Sequence, residues 1–300
     1  MPFAKRRLKR ILESSPVIPY DKNSKFIILS DCHRGQGNNG DNFMQNQNLF
    51  FSALEYYYEN DYTYIELGDG DELWENRKLN PIIHTHSDAF WMMSNFYRDN
   101  RFYMLNGNHD IVKSRKSFAK SNFDHYYCDS SKGNEPLFPN LKISEGLVLE
   151  NINNDETIFL VHGHQGDLLN DLLWPIARFL VRYVWRTLEL IGFLDPSGSI
   201  IPNNRKAKVD KRMISFANSE DLIVIAGHTH QPVFSNPGTG LYFNDGSCVH
   251  PRCITGIEIE NGEISLIKWS ICIGKDRNLF VCRQVLEGPV ALSEYYRNFQ

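Results

Sequence analysis

Ile65–Glu75 reads IELGDGDELWE, and how this stretch is interpreted decides the fold. Tyr64, Ile65 and Leu67 form an apolar run that stops at Gly68, and Asp69, Asp71 and Glu72 follow at once. A strand that ends on glycine and releases carboxylates into a loop presents hard oxygen ligands at a sheet edge. Taken alone, the segment reads as an acidic turn facing solvent. Its neighbours change that reading.

Four further apolar runs end in the same way. Lys25–Ser30 (KFIILS) leads into Asp31-Cys32-His33, where strand alternation puts Asp31 and His33 on one side and Cys32 in the core. Arg101–Leu105 (RFYML) leads into Asn106-Gly107-Asn108-His109-Asp110, and Thr157–Val161 (TIFLV) into His162-Gly163-His164. Leu222–Ala226 (LIVIA) leads into Gly227-His228-Thr229-His230, with the two histidines again aligned by alternation. Helical periodicity covers Gln45–Tyr58 and His86–Asn100, so strands and helices alternate as in a layered α/β sheet, whose binding groups gather at the strands' carboxyl ends. Six of the ten histidines fall in these strand-end motifs, a placement that predicts a metal site. His84, His86, His125 and His250 are read as ordinary core or surface residues.

At 300 residues the chain can bury one large core, and motifs spread over most of its length predict one catalytic domain, 25–300, after a basic segment, 1–24. Residues 1–12, MPFAKRRLKRIL, are read as a short helix, a frayed solvated tail in preference to a membrane anchor. Lys+Arg 32 against Asp+Glu 36 gives a net charge of −4, which offers no global attraction to nucleic acid or anionic lipid. Six cysteines without paired CxxC spacing, and an N-terminus without a secretory apolar core, point to a reducing, cytoplasmic setting with no disulfide framework. Lys113–Asn140 is irregular and receives no role. Gly256–Glu260 and Glu263–Trp269 flank Asn261-Gly262, a type I′ turn signal, so a hairpin is expected there, in a second sheet packed on the first.

Together, Asp31-x-His33, Gly68-Asp69-x-x-Glu72, Gly107-Asn108-His109-Asp110, His162-Gly163-His164 and Gly227-His228-x-His230 resemble the calcineurin-like metallophosphoesterases in order and strand-end position. The resemblance implies a four-layer α/β/β/α sandwich of two mixed sheets and a centre of two divalent metals, manganese first, with iron or zinc as alternatives. It implies one metal on Asp31, His33, Asp69 and His230 and the other on Asp69, Asn108, His162 and His228. A metal-bridged hydroxide would attack phosphorus in line, with His109 as proton or hydrogen-bond donor to the leaving oxygen, Asp110 orienting it, and Glu72 supporting the ligands. Strand parity does not choose between His162 and His164; the resemblance favours His162.

Residues 168–218 form a long insert. Its first part, PIARFLVRYVWRTLELIGFL, spans 175–194 and carries Arg178, Arg182, Arg186 and Glu189 as one narrow polar stripe on an apolar helix. Arginines at mid-span, each costing about 2.5–3.5 kcal/mol, argue against crossing a bilayer. The helix packs on the protein's own core, or covers an acyl chain, a membrane surface or a second subunit. Arg205, Lys206, Lys208, Lys211 and Arg212 follow, a solvated face or a contact for diphosphate or lipid headgroups. An apolar helix and a basic segment ahead of Gly-His-Thr-His-Gln-Pro look similar to the lid of the UDP-2,3-diacylglucosamine hydrolases, which commonly carry arginine where this chain has His109. The expected substrate is therefore a phosphorylated small molecule or a lipid-linked or nucleotide diphosphate, with peripheral membrane contact through 175–194 and no nucleic acid. The alternatives are a non-catalytic metal-binding scaffold of the same fold, against which the full ligand set speaks, or a nuclease.

Overall fold

The computed structural model describes residues 2–128, 132–185 and 203–297. Among the described residues, fourteen strands and eight α-helices run in the order α1 (Pro2–Ser14), β1 (Val17–Tyr20), β2 (Phe26–Leu29), α2 (Gln47–Glu59), β3 (Thr63–Glu66), α3 (Asn80–Thr85), α4 (Ser87–Arg98) and β4 (Phe102–Leu105). Then come α5 (Lys116–Phe123), β5 (His125–Cys128), β6 (Gly133–Pro136), β7 (Ile143–Ser144), β8 (Gly146–Asn151), β9 (Thr157–Val161), α6 (Trp174–Leu180) and α7 (Asn203–Glu220). The chain ends with β10 (Ile223–Ala226), β11 (Tyr242–Asn244), β12 (Cys253–Glu260), β13 (Glu263–Ile273), β14 (Leu279–Ala291) and α8 (Leu292–Arg297).

Two mixed sheets carry the architecture, one ordered β1-β8-β9-β10-β11 and the other β14-β13-β12-β2-β3-β4-β7. Ile28, Ile65 and Leu67 of the second face Leu149, Leu160 and Ile225 of the first, closing one apolar layer between the sheets. On the far side of the seven-stranded sheet, Ile27, Leu29 and Tyr64 pack against Phe50, Leu54 and Phe96 of α2 and α4. Met213, Phe216 and Ala217 of α7 close the other outer layer, so the order is α/β/β/α. Strands β2, β3 and β4 are parallel, as are β9 and β10, and each hands its carboxyl end to a motif loop.

Three expectations are corrected by this architecture. The basic opening segment is no solvated tail: Leu8 and Ile11 of α1 are buried with Leu147 and Phe159, and β1 pairs with β8 in parallel, Val17 opposite Val148. A short helix gains here the apolar partner it lacks alone. The terminal hairpin forms, but it extends the seven-stranded sheet of β2, β3 and β4 and is not part of a separate sheet packed on it, because β12 pairs with β2, Ile257 opposite Ile28. Finally, Cys272 and Cys282, on neighbouring strands with Cα atoms 6.0 Å apart, form a disulfide.

The 175–194 helix is seen in part, as α6 and a π-helical turn, Val181–Trp185; Arg186 and Glu189 lie outside the described residues. Among the described residues no helix is long and apolar enough to cross a membrane.

Candidate metal centre

The loops that carry the candidate ligands begin where the strands stop, and their backbones stay paired. Asp31, His33 and Arg34 donate amide hydrogens to the carbonyls of Gly68, Asp69 and Gly70, and Gly227 donates to that of His162. Asp31 (φ 52°), His33 (φ 48°), Asp69 (φ 50°), His228 (φ 67°) and His230 (φ 55°) all sit in the left-handed region. The shared direction of Asp31 and His33 therefore arises from left-handed turns beyond Leu29, and not from the strand pleat on which the sequence argument rested. The fit is tight: a Cβ on Gly107 would meet Asp69 Oδ1 at 2.1 Å, and one on Gly68 would meet His162 Nδ1 at 2.8 Å.

These loops bring Asp31, His33, Asp69, Asn108, His162, His228 and His230 together, all buried except His230, which is nearly so. Asp31 Oδ1 lies 3.1 Å from His230 Nε2 and 3.6 Å from His33 Nε2. Asp69 Oδ2 lies 3.0 Å from His162 Nε2 and 4.0 Å from His33 Nε2. Donor atoms of Asp31, His33 and His230 fall within 4.8 Å of one another, and so do those of Asp69, His162 and His228. Three of the converging atoms, Asp31 Oδ1, His33 Nε2 and His162 Nε2, are buried without a hydrogen bond, and so is Asn108 Oδ1, next in the chain to the Gly107 that packs on Asp69. Close approach without hydrogen-bond alignment is what lone pairs aimed at a common point produce.

The remaining polar atoms are already engaged, which fixes each ligand's orientation. His162 Nδ1 is 2.9 Å from the Leu67 carbonyl oxygen, so it carries the hydrogen and leaves Nε2 a free lone pair. Glu72 Oε2 lies 2.9 Å from His33 Nδ1 and 2.7 Å from His109 Nδ1. Asp31 Oδ2 accepts from the His228 amide at 2.7 Å and from Ser30 Oγ at 2.6 Å. Burial and the charge of Asp31 raise the Asp245 carboxyl, which stands 2.7 Å behind Ser30 Oγ. Burial works to raise Glu72, yet the rings of His109 and His33 hold it down to about 2.

His109 stacks on Trp74, ring centroids 4.3 Å apart, and keeps some exposure while the ligands are closed off. Burial disfavours its charged form, but Glu72 and Asp69 raise its pKa. The group that orients it is Glu72. Asp110, expected in that role, turns away to accept from the amides of Gly107 (2.7 Å) and Gly70 (3.1 Å) and to meet Lys113 Nζ at 2.7 Å. Its short side chain serves the loop it starts, not the ring beside it.

Sequence reasoning missed the support beneath the loops. Arg34 bonds Asp71 (2.8 Å) and Glu66 (2.7 Å), and Lys113 bonds Asp71 (2.6 Å) and Asp110, every side chain fully buried. It also passed over His250, whose Nε2 lies 2.8 Å from the His230 carbonyl, and it placed Arg182 only in a polar stripe, whereas Arg182 donates to the carbonyls of Leu73 (2.7 Å) and Trp74 (2.8 Å). His164 is buried with neither ring nitrogen bonded, near Glu145 and Asp171, which Arg7 bridges.

Among solved structures the chain is similar to Vps29 of Chaetomium thermophilum, at 9% identity and TM-score 0.39 over 87% of this chain and 96% of that one. The same protein complexed with the RaPID-derived cyclic peptide RT-D3 gives 9% identity and TM-score 0.36 over 88% and 95%. No curated protein matches. The profile of the calcineurin-like phosphoesterases matches residues 24–232, which takes in all five strand-end motifs. With most of its length inside that match, the chain belongs to the calcineurin-like phosphoesterase family, the metal-dependent hydrolases of phosphoester bonds.

Proposed function

We propose that the chain hydrolyses a phosphoester or diphosphate bond with two divalent cations, held in half-sites that share Asp69. Asp31, His33, Asp69 and His230 would hold one, and Asp69, Asn108, His162 and His228 the other. The four buried atoms without hydrogen bonds carry this reading. Each such group costs on the order of 1–3 kcal/mol when nothing satisfies it, and three of them, Asp31 Oδ1, His33 Nε2 and His162 Nε2, lie within 4.0 Å of another candidate ligand's donor atom. Carboxylate, imidazole and amide oxygen without thiolate suit manganese, with iron or zinc as alternatives. Such cations, when bound, supply Lewis-acid stabilisation of phosphoryl charge and lower the pKa of water.

The chain's own residues supply the rest. With Nδ1 tied to Glu72 and one face covered by Trp74, His109 presents Nε2 outward, and the neighbouring carboxylates favour its protonated form. That is the state a donor to a leaving oxygen needs. A lipid-linked or nucleotide diphosphate substrate, and peripheral membrane contact through the insert, are supported by exposed Ile176, Phe179, Leu180 and Tyr183 beside the Arg182 contact to the catalytic loop. A net charge of −4 argues against nucleic acid.

The test is hydrolysis of a generic phosphodiester and of UDP-2,3-diacylglucosamine by manganese-loaded protein, with metal content counted and Asp69→Asn alongside. Two metals per chain are expected, and Asp69→Asn should lose at least one together with about a thousandfold in turnover. Wild-type rates in that variant would sink the shared-ligand assignment. Preference for the lipid nucleotide supports an acyl-binding role for the insert, and turnover of the generic diester alone removes it.

A further inference from the structure

The outermost strand of the seven-stranded sheet is unlike a protected edge. β14 runs for 13 residues, and among the described residues only β13 lies beside it. Native edges are blunted by shortness, lysine or proline. Glu287 and Pro289 blunt the last third of β14, but from Leu279 to Leu286 this edge has a single charge, Arg283, and that guanidinium is forked onto Glu258. Leu279, Val281 and Val285 are exposed on one face, Phe280 and Leu286 on the other. β13 adds Ile273 opposite Leu279 and Ile271 opposite Val281. Ile273 and Leu279 are 73% and 69% exposed, because β12 stops at Cys253, opposite Ser270, and the ribbon continues beyond it as two strands.

A partner lying on one face of this ribbon would leave the other wet, whereas a strand laid beside β14 shields both. The sequence of β14 fits its own copy. Antiparallel pairing centred on Arg283 sets Phe280 opposite Leu286 of the partner subunit and Val281 opposite Val285 of the partner subunit, each pair on a shared face; the two Arg283 guanidiniums meet at the centre, each already paired with Glu258 of its own chain, and Leu279 meets Glu287 of the partner subunit. The exposed apolar surface amounts to a few hundred Å² per chain, the size of the largest apolar patch on an ordinary monomer and short of the roughly 800 Å² per partner in an ordinary interface, so the main-chain hydrogen bonds of the seam supply the rest. We propose that two copies of the chain join antiparallel along β14, fusing their seven-stranded sheets into one. The ribbon projects at the edge that carries the metal ligands, so the two-fold sends the two sites to opposite ends and hydrolysis needs no partner.

Sedimentation velocity at roughly 50 µM, where an interface of ordinary size is populated, should give twice the 34.8 kDa chain mass. Val281→Lys or Val285→Glu alone should weaken the dimer about tenfold or more, since each sets a charge against valine. An equal mixture of the two should restore it, because cation and carboxylate then face each other across the seam. Circular dichroism and hydrolysis of a generic diester should be unchanged in both. Amide exchange across 279–287 of the unsubstituted protein gives a check free of any folding defect: it should slow as concentration rises. A monomeric wild type, a dimer indifferent to both substitutions, or exchange independent of concentration overturns the proposal.

Discussion

Replacing Lys113 with methionine tests how the ligand loops are held. Lys113 Nζ lies 2.6 Å from Asp71, 2.7 Å from Asp110 and 3.7 Å from Glu66, all fully buried. Arg34 already serves Asp71 and Glu66, so the substitution leaves Asp110 as the carboxyl without a cation. Burial raises the Asp110 pKa and Lys113 opposes that rise, so Asp110 would become protonated in the variant and surrender part of its hold on the Gly70 and Gly107 amides. Breaking a buried pair from one side costs about 3–5 kcal/mol. For a chain of this size that is a fall in melting temperature of about 10 °C, read by calorimetry on the metal-free protein. Adding Asp110→Asn should recover part of the loss, since no buried carboxyl then has to take up a proton. Metal affinity should fall as well, because the loops that loosen carry Asp69 and Asn108. A change of less than about 2 °C would show that the ionic cluster is not what positions these loops.

His109→Gln should lower kcat by about a hundredfold to ten-thousandfold while metal content and substrate affinity hold, as inductively coupled mass spectrometry and steady-state kinetics can check. Asp41 gives a pH prediction. Burial would raise its carboxyl, but His86 at 2.8 Å and the backbone amides of Gly37 and Gly35 hold it below the usual range. A depressed folded pKa means that the stabilisation is complete above about pH 4 and is lost as pH falls through the folded value. Denaturation between pH 5 and pH 3 should therefore show a steeper loss of stability in the wild type than in Asp41→Asn.

The strand-end motifs were legible because each apolar run stops abruptly at glycine or a polar residue, and five such endings in one order leave little freedom for the fold. Asp31 and His33 show that a correct grouping can rest on an incorrect cause, since their φ angles, and not the pleat, bring them together. What stayed hidden depended on distant partners. The amphipathic side of α1 is plain, but its cover, Leu147 and Phe159, lies more than 130 residues away. Arg34, Glu66 and Lys113 look like ordinary surface charges until three loops bury them side by side. The hairpin's internal turn was readable from Asn261-Gly262, yet nothing local to it names β2 as its neighbour.

The five left-handed residues also bear on any effort to move this centre elsewhere. Each non-glycine step of that hand costs roughly 1–2 kcal/mol, somewhat less for aspartate, and here they are gathered on three loops stitched by amide bonds. A designer who copied only the side chains of Asp31, His33, Asp69, His228 and His230 onto right-handed loops would aim them along different vectors. The transplantable unit is the wound backbone together with the glycines that let it close, and valine, isoleucine or threonine at any of the five positions should be the least tolerated replacement.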